Sequence, residues 1–88
     1  MQNPLPSNLQ EVVYFEAFIN YTRIHFADGT SQWHSYTLKR YERLLGEPFY
    51  RFHRRYIVNK NYIQDIQSLP QRRLVLHCGR EIPVARRR

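Results

Sequence analysis

Eighty-eight residues make one small domain, and at that size folding removes only about 60% of the unfolded chain's surface from water, so a thin core fits but a deep cleft between two lobes does not. A composition that is 42% hydrophobic and 15% aromatic supports that core and argues against a disordered tail. The net charge of +7 falls entirely in residues 45–88, because Arg23, Lys39, Arg40 and Arg43 in the first half are matched by Glu11, Glu16, Asp28 and Glu42.

Residues 1–10 hold Pro4 and Pro6 and no apolar period, so they read as a loosely ordered lead-in to a domain over 11–88. Val12-Val13-Tyr14-Phe15 is rich in β-branched and aromatic residues and predicts a strand. In the next strand, Asn20 to Phe26, Ile24 and Phe26 share one face and Arg23 and His25 the other. Asp28-Gly29 marks a hairpin, since glycine takes the positive φ that tight turns demand, and the return strand is Ser31 to Tyr36. One helix follows. Thr37 can cap it, Leu38, Tyr41, Leu44 and Leu45 have helical spacing, Gly46 lies past its end and Pro48 forbids continuation. Strands return at Phe49 to Phe52, Tyr56 to Val58, Tyr62 to Ile66, Leu74 to His77 and Ile82 to Val84, with a second hairpin at Cys78-Gly79-Arg80. Pro83 places the last strand at an edge or bulge. The expected fold class is all-β, mostly strands with one short helix.

Catalytic machinery is not in view. The seven carboxylates are scattered without an acid–base pair, and the glycines at 29, 46 and 79 stand alone, so there is no phosphate-cradling loop. The single cysteine, Cys78, excludes an intrachain disulfide and a cysteine-based zinc site. His77 and Cys78 would point to opposite faces of a strand, which predicts a small core thiol near a hairpin instead of a nucleophile. His25, His34, His53 and His77 lack the i, i+4 spacing of a helical metal site. A non-enzymatic protein without cofactor or metal is expected. The longest apolar run is Val12 to Phe15, far short of the ~20 residues a spanning helix needs, so a cytoplasmic location and no membrane partner are expected.

The surplus charge points to a polyanion. It gathers at Arg51, Arg54 and Arg55, at Lys60, and at Arg86-Arg87-Arg88, each at a strand end or loop where an arginine can fork onto phosphate or onto guanine O6 and N7. The tyrosines and phenylalanines could also stack on single-stranded nucleic acid, but most alternate with polar residues and read as core or sheet surface.

The order of motifs resembles the LytTR-type (LytR/AlgR family) DNA-binding domain. Val13-Tyr14-Phe15-Glu16-Ala17, Asn20-Tyr21-Thr22, Ile24-His25 and Asp28-Gly29 resemble its opening signature, and Thr37-Leu38-Lys39 with Tyr41-Glu42 and Leu45 its helix. Phe49 to Asn59 is similar to its most distinctive stretch, and Gly79 to Arg87 to its last strand and basic end. The likeness runs from about residue 10 to residue 87. Two departures stand out: the proline-bearing residues 1–10 replace an additional strand, and Arg55 stands where serine is commonest.

The resemblance implies a compact fold of short antiparallel sheets whose loops enter the major groove of double-stranded DNA. It implies a bacterial transcription regulator or its output domain, joined to or served by a receiver or sensor as in two-component response regulators, with two copies on paired direct repeats. Carried over by position, base contacts fall on Tyr21, Thr22, Arg54 and Arg87, and backbone contacts on Arg23, Lys39, Arg51, Arg55, Lys60, Arg86 and Arg88. His53 and Asn59 suit structural hydrogen bonding. The alternative is an RNA or single-stranded nucleic-acid binding module using the tyrosines.

Overall fold

The computed structural model describes residues 5–69 and 71–84. After a 3-10 turn at Leu9–Glu11 come β1 (Val12–Phe18), β2 (Tyr21–Phe26), β3 (Ser31–His34), α1 (Leu38–Leu44), β4 (Phe49–His53) and β5 (Tyr56–Asn59). A second 3-10 turn at Lys60–Tyr62 leads into β6 (Ile63–Gln67), β7 (Arg73–Leu76) and β8 (Glu81–Pro83). The first sheet has five strands in the order β3-β2-β1-β5-β4 and the second has three, β6-β7-β8, with every pairing antiparallel. The fold is therefore mostly antiparallel β with one helix, as the strand patterns and the family likeness predict.

β1 explains the architecture. It lies at the centre of the first sheet and is covered on both faces, so five successive residues, Val12 to Glu16, are buried where a half-exposed strand would alternate. One face carries Phe15, Ile24 and Ile57 under Leu38 and Tyr41 of α1. The other carries Val13, Tyr14 and Val58 against Leu74, Leu76 and Ile82 of the second sheet. A bulge between Val12 and Tyr14 shifts the register, which is how the neighbours Val13 and Tyr14 come to pack in the same core. Alternation in β2 is as predicted: Thr22, Ile24 and Phe26 are buried, while Tyr21, Arg23 and His25 face the other way.

Several local expectations need correction. The helix ends at Leu44, whose side chain is exposed, because Leu45 turns extended and drops back onto the core in its place. Thr37 occupies the N-cap position, yet it makes no side-chain cap; its carbonyl instead accepts from the Arg40 and Tyr41 amides. Cys78 is an exposed free thiol in the β7–β8 turn instead of a core residue, since the strand stops at Leu76 and the turn carries it outward. Gly79 supplies that turn with φ +90°. Pro83 lies on β8, an edge strand, where its missing N–H costs no ladder bond. Among the described residues no strand precedes β1; Leu5 and Leu9 pack against the helix-side core instead.

Candidate nucleic-acid interface

Antiparallel pairing fixes which loops lie together. Glu16 pairs with Tyr56 and Phe18 with Tyr21, while the Ala17 amide donates to the Arg55 carbonyl at 2.9 Å. The β1–β2 turn and the β4–β5 turn therefore occupy the same end of the first sheet. His34 of β3 pairs with Thr22, so the start of α1 is delivered to that end as well. Glu16 and Tyr56, 40 apart in sequence, are thereby brought side by side without any cleft being needed.

The β4–β5 turn consists of Arg54 and Arg55, both exposed, and neither side chain makes a hydrogen bond or ion pair among the described residues. The backbone beneath them is firmly held. His53 Nδ1 accepts from the Arg55 amide at 3.2 Å, and Arg51 donates through Nη2 to the Arg54 carbonyl at 2.6 Å. The other end of the Arg51 guanidinium donates to Glu42 Oε1 at 2.8 Å, and the Arg51 side chain is only 16% exposed. Arg51, expected on a phosphate, is thus committed to bracing the turn that displays Arg54.

Tyr21 and Thr22 divide sharply. Tyr21 is exposed on the sheet face that carries Arg23, whereas Thr22 is fully buried and its hydroxyl donates to the Tyr36 carbonyl at 2.6 Å. The expectation of a base contact from Thr22 is corrected accordingly, because a strand alternates and only one of two neighbours can face out. Thr22 instead ties β2 to the segment entering α1. Arg23 donates to Ser31 Oγ at 3.0 Å and lies over the Trp33 ring, 5.3 Å from its centroid.

Lys39 is exposed in the first turn of α1, and Arg43 follows one turn later. Arg40 stacks on Tyr36, with its guanidinium carbon 4.6 Å from the ring centroid. Arg40 and Arg43 do not stand out in the sequence because four acidic residues cancel the charge of that half; their i, i+1, i+4 spacing with Lys39 is the available signal. Lys60 lies elsewhere. It follows β5 at the opposite end of the sheet, where Nζ binds both oxygens of Glu47 at 3.1 Å. Arg86, Arg87 and Arg88 lie outside the described residues.

Close to the clustered turns, one acid is buried in a cage of donors. Glu16, 9% exposed, accepts from His25 Nε2 at 3.0 Å and from Tyr56 at 3.4 Å, and Arg80 reaches both Glu16, at 3.5 Å, and the Tyr56 hydroxyl, at 3.2 Å. A carboxylate can only accept, so His25 carries its proton on Nε2. Burial drives the His25 pKa below its ordinary value, outweighing the opposing hydrogen bond and charge of Glu16. The imidazole is consequently neutral at pH 7, and the positive charge that compensates Glu16 comes from Arg80. Tyr14 stacks flat on His25, centroids 4.1 Å apart, completing a polar bridge between the two sheets.

A small β domain whose β4–β5 turn displays two arginines with no side-chain partner among the described residues has the kind of surface that nucleic-acid-binding modules present to phosphate. The sequence model of the LytTr DNA-binding domain matches residues 5–88, and the chain belongs to that family. It is also similar to a solved structure described as the LytTr DNA-binding domain of a methyl-accepting/DNA response regulator from Bacillus cereus. That likeness has 32% sequence identity and a TM-score of 0.76, and it covers 86% of this chain and 72% of the other. No curated protein matches the chain. Among the described residues, no helix is long and apolar enough to cross a membrane.

Proposed function

We propose that the chain is the DNA-reading part of a bacterial transcription regulator and binds double-stranded DNA sequence-specifically through turns that enter the major groove. One observation carries this reading: Arg54 and Arg55 stand exposed, with no side-chain partner among the described residues, beside the β1–β2 turn at one end of the first sheet. Arg54, held from below by Arg51, is pre-aimed to fork onto guanine O6 and N7. Tyr21 reads alongside it from the neighbouring turn, and Arg87 is a third base-reading candidate. Arg55, Lys39 and Arg23 supply phosphate contacts that set register and orientation, joined by Arg86 and Arg88. Lys60 reaches phosphate only by leaving Glu47, and so contributes least.

In this reading two copies occupy paired direct repeats, a receiver or sensor module controls the domain, and the protein works in the cytoplasm. The domain performs no catalysis. If about five phosphates are neutralised, log K falls against log salt with a slope of about −4 to −5. Selection from random duplexes, followed by titration of the winner over a salt series, tests the proposal. The expected result is one preferred duplex, that slope, and poor competition by single-stranded DNA or RNA. Tighter binding to single strands would replace this reading with a stacking mode.

A further inference from the structure

Ile19 is the least economical residue in the fold. It sits at the tip of the β1–β2 turn with 98% of its surface exposed and a backbone φ of +44°. Two-residue hairpin loops that need positive φ normally place glycine or asparagine there, because a β-branched side chain crowds the backbone in the left-handed region. Asn20, which tolerates that conformation, is the very next residue, so the chain has the suitable residue one position from where the backbone would prefer it. Ile19 has no packing to offset this strain, since it is almost wholly in water. Strained positions without a structural reason are characteristic of binding sites.

Its surroundings indicate what it meets. The flanking Phe18 and Tyr21 pair across the hairpin, and Phe18 rests on Trp33 with ring centroids 4.9 Å apart. Ile19 projects beyond this aromatic base from the same sheet end as Arg54 and Arg55. The cations there suit phosphate and guanine, and an apolar side chain among them suits the one apolar group on a base edge in the major groove, the thymine C5-methyl.

We propose that Ile19 reads the 5-methyl group of a thymine, adding an apolar contact to the arginine readout. This rests on the DNA-binding function proposed above. The strain is borne by the free protein and offset only when the side chain leaves water against the base.

The test uses the whole chain and its selected duplex, with each thymine replaced singly by deoxyuridine, which lacks only the methyl group. The wild type should lose about fourfold in affinity at one thymine, the worth of burying a single methyl. Ile19→Asn and Ile19→Gly should bind the thymine and uracil duplexes equally, while Arg54→Ala, though weaker on both, should keep the fourfold ratio. Ile19→Asn should also melt about 4 °C higher than the wild type, having shed the backbone strain. Indifference of the wild type to uracil at every thymine, retention of the ratio by Ile19→Asn, or a lower melting temperature of that variant would each overturn the proposal. Specific binding without a methyl effect removes this inference alone; failure to select any duplex removes the DNA-binding reading with it.

Discussion

The two ends of the five-stranded sheet are both closed by tied turns, two hairpins at one and the β2–β3 hairpin with 3-10 turns at the other, and they present different surfaces. At one end, Asp28 accepts from both the amide and the hydroxyl of Thr30, Asn59 spans from the Val12 carbonyl to the Asn61 amide, and Lys60 is clasped by Glu47. The Thr30 hydrogen bonds, the hydroxyl first, hold the Asp28 carboxyl below its ordinary pKa. At the other end the backbone is just as well tied, through the Ala17–Arg55 and Arg51–Arg54 bonds, yet Tyr21, Arg54 and Arg55 project into solvent. Unspent hydrogen-bonding capacity on a rigid support separates the two ends, and charge alone does not: Lys60 and Arg54 are both cations.

That contrast can be broken by substitution at each end. The largest effect is expected for Asn59→Ala, which leaves two backbone groups unpaired in a site where the side chain is 1% exposed. Stability to urea should fall by about 2–3 kcal/mol, while the affinity of the folded fraction for DNA stays unchanged. Arg54→Ala should do the reverse. It should leave the urea midpoint where it is and cost about 1–3 kcal/mol in binding to the selected duplex, with less loss on random sequence. Equal loss on both duplexes would reduce Arg54 to a phosphate contact.

A smaller effect is expected on pH. His25 has a folded pKa below its ordinary 6.5, so between the two values the unfolded chain binds more protons. Stability should be full above pH 6.5, decline as pH falls through that window, and level off once the folded imidazole is protonated too. His25→Gln should flatten this step in melts recorded from pH 7.5 to 5. Lys60→Ala should do least, changing stability by no more than about 0.5 kcal/mol because its pair with Glu47 is solvent-exposed. Its effect on affinity should be slight and alike for every sequence. A large loss there would mean that both ends of the sheet engage DNA.

Much of this was legible in the chain. The strands, the single helix and both Gly-bearing hairpins are set by local pattern, and local pattern reports backbone preference well. The arginines at 51, 54 and 55 were equally plain as a charge cluster, but their division of labour was not. Arg51 lies in β4 within reach of Glu42, a residue on another element, and only that contact shows it to be a brace. Thr22 is a similar case: its neighbour Tyr21 faces out, so it must face in, and the Tyr36 carbonyl is there to receive its hydroxyl. Cys78 misled because the composition of a turn does not say where the preceding strand stops.

Alone, the sequence determined the family, the antiparallel β class, and a cationic surplus concentrated in the second half, because these follow from residue order, side-chain period and formal charge. Tertiary structure decided which cations are free. It did so by pairing β1–β3 of the neutral first half with β4 and β5 of the basic second half in one sheet, so that Tyr21 and Ile19 stand beside Arg54 and Arg55 while Lys60 is carried to the far end. Whether a side chain is spent or available depends on partners supplied by other strands, and a linear charge count holds no information about those partners.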